Sequence, residues 1–122
     1  MIIPRHYEDL HVLHENTMPN RAYYVPASER MDTLVLSRTD SDRFQLLNGQ
    51  WKFRYYESIY DLQEKFYEKG YCTSGFDTVT VPGVWQNYGY DRHQYTNTRY
   101  PFPMDPPYVP QENPCGAYVH TF

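Results

Sequence analysis

The stretch Gln50-Trp51-Lys52-Phe53-Arg54-Tyr55-Tyr56 alternates large rings with polar and cationic side chains. A period of two puts Trp51, Phe53 and Tyr55 on one face of an extended chain and Lys52 and Arg54 on the other, the pattern of a half-buried β-strand. Asn48-Gly49 supplies the turn that opens it.

Working outward, Ser58 stands as a helix cap with Asp61 at the third helical position. Ile59, Leu62 and Phe66 follow at helical spacing and Gly70 makes a stop, so a short helix is expected over 59–69. Asp77-Thr78-Val79-Thr80-Val81 is rich in β-branched residues and ends at Pro82, which has no N–H to continue a ladder, so a second strand is expected there. Residues 82–116 carry most of the ten prolines, crowded in Tyr100-Pro-Phe-Pro-Met-Asp-Pro-Pro-Tyr-Val-Pro110 and again at Pro114. This density excludes a long helix or central strand and predicts a stiff loop of largely polyproline II character. Gly116 to Phe122 resumes alternation, with Tyr118, His120 and Phe122 opposed to Ala117, Val119 and Thr121. Residues 1–42 are polar, punctuated by Pro4, Pro19 and Pro26, and hold neither period; they read as an extended arm with at most one short helical turn. Three strands are few for closing two sheets, so the expectation is a domain, 43–122, that is cut short within its last strand.

Composition narrows the chemistry. A net charge of -4 and a pI near 5.6 disfavour a nucleic acid partner, which requires a cationic surface. No apolar run approaches the roughly 20 residues of a membrane span, and the start, Met1-Ile-Ile-Pro-Arg-His, lacks a signal-peptide pattern, so a cytoplasmic location is expected. Cys72 and Cys115 form no CxxC pair and read as two reduced thiols. The carboxylates Glu8, Asp9, Asp40, Asp42, Asp61, Glu64 and Asp91 sit in polar text and read as solvated charge, because nothing nearby in sequence raises their pKa. His11 and His14, three apart and close to Glu8, lack a convincing third ligand for a metal. No Gly-x-Ser-x-Gly elbow, Gly-x-Gly-x-x-Gly turn or P-loop is present. An aromatic fraction of 18%, with Trp85, Tyr88, Tyr90, Tyr95 and Tyr100 strung along a segment also bearing Asn and Gln, suits both a packed core and a polar, ring-shaped ligand such as a sugar.

The order of short motifs adds a resemblance. Leu47-Asn48-Gly49-Gln50-Trp51-Lys52-Phe53, Val81-Pro82-Gly83-Val84-Trp85-Gln86, Gly89-Tyr90-Asp91, Tyr95-Thr96-Asn97, Tyr100-Pro101, Pro106-Pro107-Tyr108-Val109-Pro110, Glu112-Asn113-Pro114 and Gly116-Ala117-Tyr118 follow one another. In that succession they resemble the N-terminal, sugar-binding domain of glycoside hydrolase family 2 β-galactosidases. The resemblance covers 43–122 firmly and the arm loosely. It implies a mainly β fold, a jelly-roll β-sandwich of the galactose-binding kind. It also implies later domains, among them a TIM barrel that holds both catalytic glutamates; such a barrel alone takes about 250 residues.

By the same resemblance no catalytic residue lies in this chain, and Asn97 hydrogen-bonds galactosyl hydroxyls, with Thr98 as a neighbour at the pocket mouth. An amide suits that task because it both donates and accepts. Trp51, Trp85 and Tyr90 are expected in the core or a domain contact. The implied whole is a homo-oligomeric retaining hydrolase of terminal β-D-galactosides such as lactose, using Mg2+ and Na+. The arm offers Asp9 at best, and His6 where a carboxylate is expected, so no metal is assigned to this chain. A β-glucuronidase or β-mannosidase of the same family, and a free-standing carbohydrate-binding or interaction module, are the alternatives.

Overall fold

A computed structural model of the chain describes residues 2–122. Its contacts divide into two compact units, residues 2–13 with Gly49–Phe122, and His14–Asn48. The first unit is built on a three-stranded antiparallel sheet of β1 (Gly49–Tyr56), β2 (Asp77–Val81) and β3 (Cys115–Val119), in the order β2-β1-β3. The chain is thus mainly β, with one-turn 3-10 helices as the other regular structure among the described residues.

β1 lies in the centre, pairing with β2 over Gly49–Phe53 and with β3 over Lys52–Tyr56. Trp51 is opposite Val79, Phe53 opposite both Asp77 and Tyr118, and Tyr55 opposite Gly116. Paired residues share a face, so the alternation in β1 sorts the whole sheet. On the Phe53 face, Phe53 is wholly buried, with ring centroids 4.7 Å from Tyr118, 5.0 Å from Tyr90 and 6.2 Å from Trp85. Burying such a side chain contributes about 1.5–3 kcal/mol. Trp51 continues this face, edge-on to Tyr118 and stacked at 4.9 Å on His120, and His120 in turn stacks on Phe122. Tyr118, His120 and Phe122 therefore run along one side as their spacing predicts, although β3 itself stops at Val119.

On the opposite face, Tyr56 and Ala117 are buried with Leu62 and Phe76, and Ile2, Ile3, Phe66, Tyr71, Cys115 and Val119 pack around them. The polar members of this face pair across the strands, Gln50 Nε2 donating to Thr80 Oγ1 at 3.0 Å and Lys52 Nζ to Thr78 Oγ1 at 3.3 Å. Arg54 lies over the Tyr56 ring and pairs with Glu64 at 3.2 Å. Both faces of the sheet are thus covered within this one unit.

The helix expected over 59–69 does not form. The segment runs as separate turns, with Asp61 N–H bonded to Ser58 O and Glu68 N–H to Lys65 O. Half of the capping arrangement is present, since Asp61 Oδ2 accepts Ser58 N–H at 3.1 Å. Tertiary ties accompany this override of local propensity: Ile59 N–H goes to Asn113 O at 2.8 Å, and Ser58 Oγ donates to Gln111 O at 2.9 Å. These fix the backbone to the segment before β3 while Leu62 and Phe66 still reach the core, so the apolar spacing is used without a helix.

The expectation of at most one helical turn in the first 42 residues is also corrected. Arg5–Glu8, Asp32–Val35 and Arg38–Asp40 are each a turn of 3-10 helix. Across the last of these, Ser37 Oγ donates to Asp40 Oδ1 at 2.8 Å. Within the second unit Asp42 accepts both the N–H and the hydroxyl of Ser28, at 2.9 and 2.5 Å, and Arg43 Nε donates to Ser28 Oγ. The buried Ser41 hydroxyl donates to Pro26 O. That ties 26–28 to 41–43 with little apolar burial.

Candidate functional site

After β2 the chain turns through Pro82 and Gly83 into the 3-10 turn Trp85–Tyr88, which Gly89 ends in the left-handed region at φ 86°. Tyr88 folds back: its hydroxyl accepts Thr80 N–H at 2.8 Å and donates to Thr80 O at 3.4 Å, closing backbone groups on β2 that β1 does not use. Tyr90 then lies on the sheet. Its ring stacks on Tyr55 at 5.6 Å and meets Phe53 edge-on, and its hydroxyl donates to Asp77 Oδ2 at the start of β2. The Asp77 hydrogen bond first, then burial and the same negative charge, push the Tyr90 hydroxyl up to about 12, so it remains a donor.

From Asp91, itself at φ 57°, the chain leaves the sheet. Residues 91–106 are all exposed. The hydrogen bonds found in this stretch are local, Asn97 Nδ2 donating to Tyr95 Oη at 2.5 Å and Tyr108 N–H to Asp105 O at 2.8 Å. Its far end is tied again where Glu8 Oε1 accepts Val109 N–H at 3.4 Å and Asn113 O accepts Ile59 N–H.

Asn97 and Thr98 line the same open hollow of about 310 Å³, together with Thr96, Arg99 and Tyr100. Two hydroxyls, an amide, a guanidinium and a phenol surround one space, a donor and acceptor set suited to a polyol. Tyr95 and Tyr100, 80% and 79% exposed, offer aromatic faces beside it. A second hollow of about 390 Å³ at the root of the loop is lined by Tyr55, Glu57, Asp91, Arg92, Gln94, Glu112 and Pro114. Trp51, Trp85 and Tyr90 lie in the aromatic packing of the Phe53 face. The contributions of Arg99 and of the Tyr90–Asp77 bond were not legible from the sequence motifs; the signal available was the nearness of Tyr90 to Asn97 in the chain.

Four of the candidate carboxylates are engaged in structural bonds. Asp9 Oδ1 accepts His11 N–H, Asp42 holds Ser28, Asp61 holds Ser58, and Glu64 meets Arg54 and the Tyr56 hydroxyl. Asp42 and Glu64 both shift downward, Asp42 through its hydrogen bonds from Ser28 and Glu64 chiefly through a backbone hydrogen bond. A general acid in glycoside hydrolysis needs a raised carboxyl pKa, the opposite direction.

Among the described residues no three His, Cys, Asp or Glu side chains gather so as to hold a metal ion, and His14 Nδ1 lies instead beside Thr17 Oγ1 at 3.4 Å. Cys72 and Cys115 are free thiols, and no helix among the described residues is long and apolar enough to cross a membrane.

Comparison with known proteins agrees with this picture of a sheet domain presenting a polar loop. Residues 44–122 match the family described as glycosyl hydrolases family 2, sugar binding domain. A β-galactosidase of Actinobacillus pleuropneumoniae is 44% identical over 121 residues, covering 99% of this chain and 12% of that protein. One from Staphylococcus xylosus is 42% identical over 123 residues, covering 100% and 12%, and one from Leuconostoc mesenteroides 40% identical over 119 residues, covering 96% and 11%. The chain thus spans about an eighth of the length of these relatives. With the family profile covering the whole sheet and the Asn97 loop, the chain belongs to the sugar-binding domain family of the family 2 glycosyl hydrolases.

Proposed function

We propose that this chain is the N-terminal part of a retaining β-galactosidase, in which it binds and orients the terminal galactose while two glutamates of a later domain break the bond. The observation that carries the reading is the match along the whole chain to β-galactosidases. The Asn97 hollow supports it, because its lining combines donors and acceptors in a loop tied at both ends.

In this proposal Asn97 bonds galactosyl hydroxyls and Thr98 stands beside it. The sheet seen here is one part of a jelly-roll sandwich, with 1–42 an arm and 43–122 the sugar-binding domain. The complete protein is a cytoplasmic homo-oligomer that places a TIM barrel against the Asn97 loop and draws any Mg2+ and Na+ ligands mainly from other segments.

Replacing Asn97 with Ala in the complete enzyme tests the reading. An uncharged hydrogen bond contributes about 0.5–1.5 kcal/mol, and leaving a buried sugar hydroxyl unpaired costs more, so kcat/KM for a β-galactoside is expected to fall about tenfold. Tm should stay unchanged, since among the described residues the bond found for the Asn97 side chain is to the exposed Tyr95 hydroxyl. Unchanged kinetics with a lowered Tm would assign Asn97 to loop structure and overturn the sugar contact.

A further inference from the structure

We propose that Tyr90, held by Asp77, is a positioning residue for sugar recognition: its hydroxyl bond to the start of β2 fixes the origin of the loop that carries Asn97. The inference rests on the sugar-contact reading of Asn97 and goes beyond it by naming what sets that contact's position.

Three observations meet at Tyr90. Its ring is held against the sheet by Tyr55 at 5.6 Å and Phe53 at 5.0 Å. Its hydroxyl donates to Asp77 Oδ2, a carboxylate located on β2 opposite Phe53. On either side the backbone turns through the left-handed region, at Gly89 (φ 86°) and Asp91 (φ 57°), so the direction in which the chain departs is set at this point.

Between residues 91 and 100 no comparable bond holds the loop among the described residues. The ten residues 91–100 contain no proline, and the hydrogen bond found among them is the local one from Asn97 to Tyr95. The stiff prolines begin only at Pro101. An exposed segment without internal proline wanders unless its ends are fixed, and hydrogen bonding of a polyol tolerates little misplacement. Tyr90 is therefore the near anchor and the proline-rich stretch the far one.

The bond also has the right chemistry for a fixed anchor. Asp77 offers a carboxylate oxygen as acceptor, and the Tyr90 hydroxyl is a donor whose proton is held more tightly for being there. Phenylalanine keeps the ring packing and deletes only the bond. Asn in place of Asp77 keeps an acceptor.

The test is a double-mutant cycle in the complete enzyme, reading kcat/KM for a β-galactoside and Tm for Tyr90→Phe, Asn97→Ala and the pair. Tyr90→Phe is expected to lower kcat/KM about fivefold to tenfold when Asn97 is present. In the Asn97→Ala background the same substitution should change it by less than about twofold, because the contact it positions is already gone. Asp77→Asn should retain most of the activity and Asp77→Ala should reproduce Tyr90→Phe, which keeps the question answerable if Tyr90→Phe folds poorly. Equal losses in both backgrounds, or no loss while Asn97→Ala alone is impaired, would overturn the positioning role and leave the sugar contact standing. No effect of Asn97→Ala would overturn both.

Discussion

Adding a single methyl group at Gly116 is expected to loosen the sheet from its centre. Gly116 pairs with Tyr55, and a Cβ built on it would stand 2.4 Å from Phe53 Cε2, 3.0 Å from Phe53 Cζ and 3.1 Å from Trp85 Cζ3. The first distance is far inside contact range, so the Phe53 ring must move. It has no free space to enter, being wholly buried with Tyr118, Tyr90 and Trp85 around it. Overpacking of this kind costs about 1–3 kcal/mol. If the cost falls on the local opening of β1 and β3, their amides exchange about 5- to 150-fold faster. Hydrogen exchange read by mass spectrometry on peptides covering 49–56 and 115–119, in the complete protein, measures this without requiring global two-state unfolding. Because Tyr90 packs edge-on against Phe53, the same substitution should also weaken galactoside turnover. Exchange within about twofold of the parent would refute the reasoning, since it would mean the Phe53 ring retreats without cost and the face is not close-packed.

Tyr88→Phe removes the hydroxyl that closes Thr80 N–H and C=O, so a loss of about 0.5–1.5 kcal/mol is expected, read as roughly 2- to 10-fold faster exchange of the Thr80 amide; an unchanged rate would show that water satisfies these groups equally well. In the second unit, Asp42 is held below the ordinary carboxylate range by Ser28. A depressed folded pKa means that the link contributes stability above the unfolded value and loses it as pH falls through the folded one. Ser28→Ala should therefore raise the Asp42 pKa in a carboxyl-carbon NMR titration and abolish the acid-side loosening of residues 26–28 and 41–43, whereas the same midpoint in both proteins would remove Ser28 as the cause.

How much of this was legible beforehand depended on the range of the deciding interactions. β1 and β2 were legible because alternation and β-branched residues act within a few positions, and the observed bounds of β2 are those of Asp77-Thr78-Val79-Thr80-Val81. The helix over 59–69 failed for the converse reason. Its local signals were real, and Asp61 does reach back to Ser58, but the bonds from Ser58 and Ile59 to Gln111 and Asn113 join residues more than fifty positions apart. A strand pattern can likewise show that residue 116 is small without showing that Phe53 and Trp85 demand it.

The same distinction separates the two parts of the candidate site. The role proposed for Asn97 comes from the resemblance of Tyr95-Thr96-Asn97 to the family motif, and an amide that both donates and accepts is compatible with it. What fixes its place is a bond between residues 13 apart, one ending a turn and one opening a strand, and neither looks functional alone. Asp77 reads as an ordinary exposed carboxylate at a strand end, and Tyr90 as one more core ring. Their joint role follows only from β1, whose Phe53 and Tyr55 hold the Tyr90 ring while Phe53 pairs with Asp77 itself. The central strand thus brings both halves of the anchor to one place. Substitutions that shift Phe53 should accordingly reach sugar recognition through Tyr90, although Phe53 is itself wholly buried.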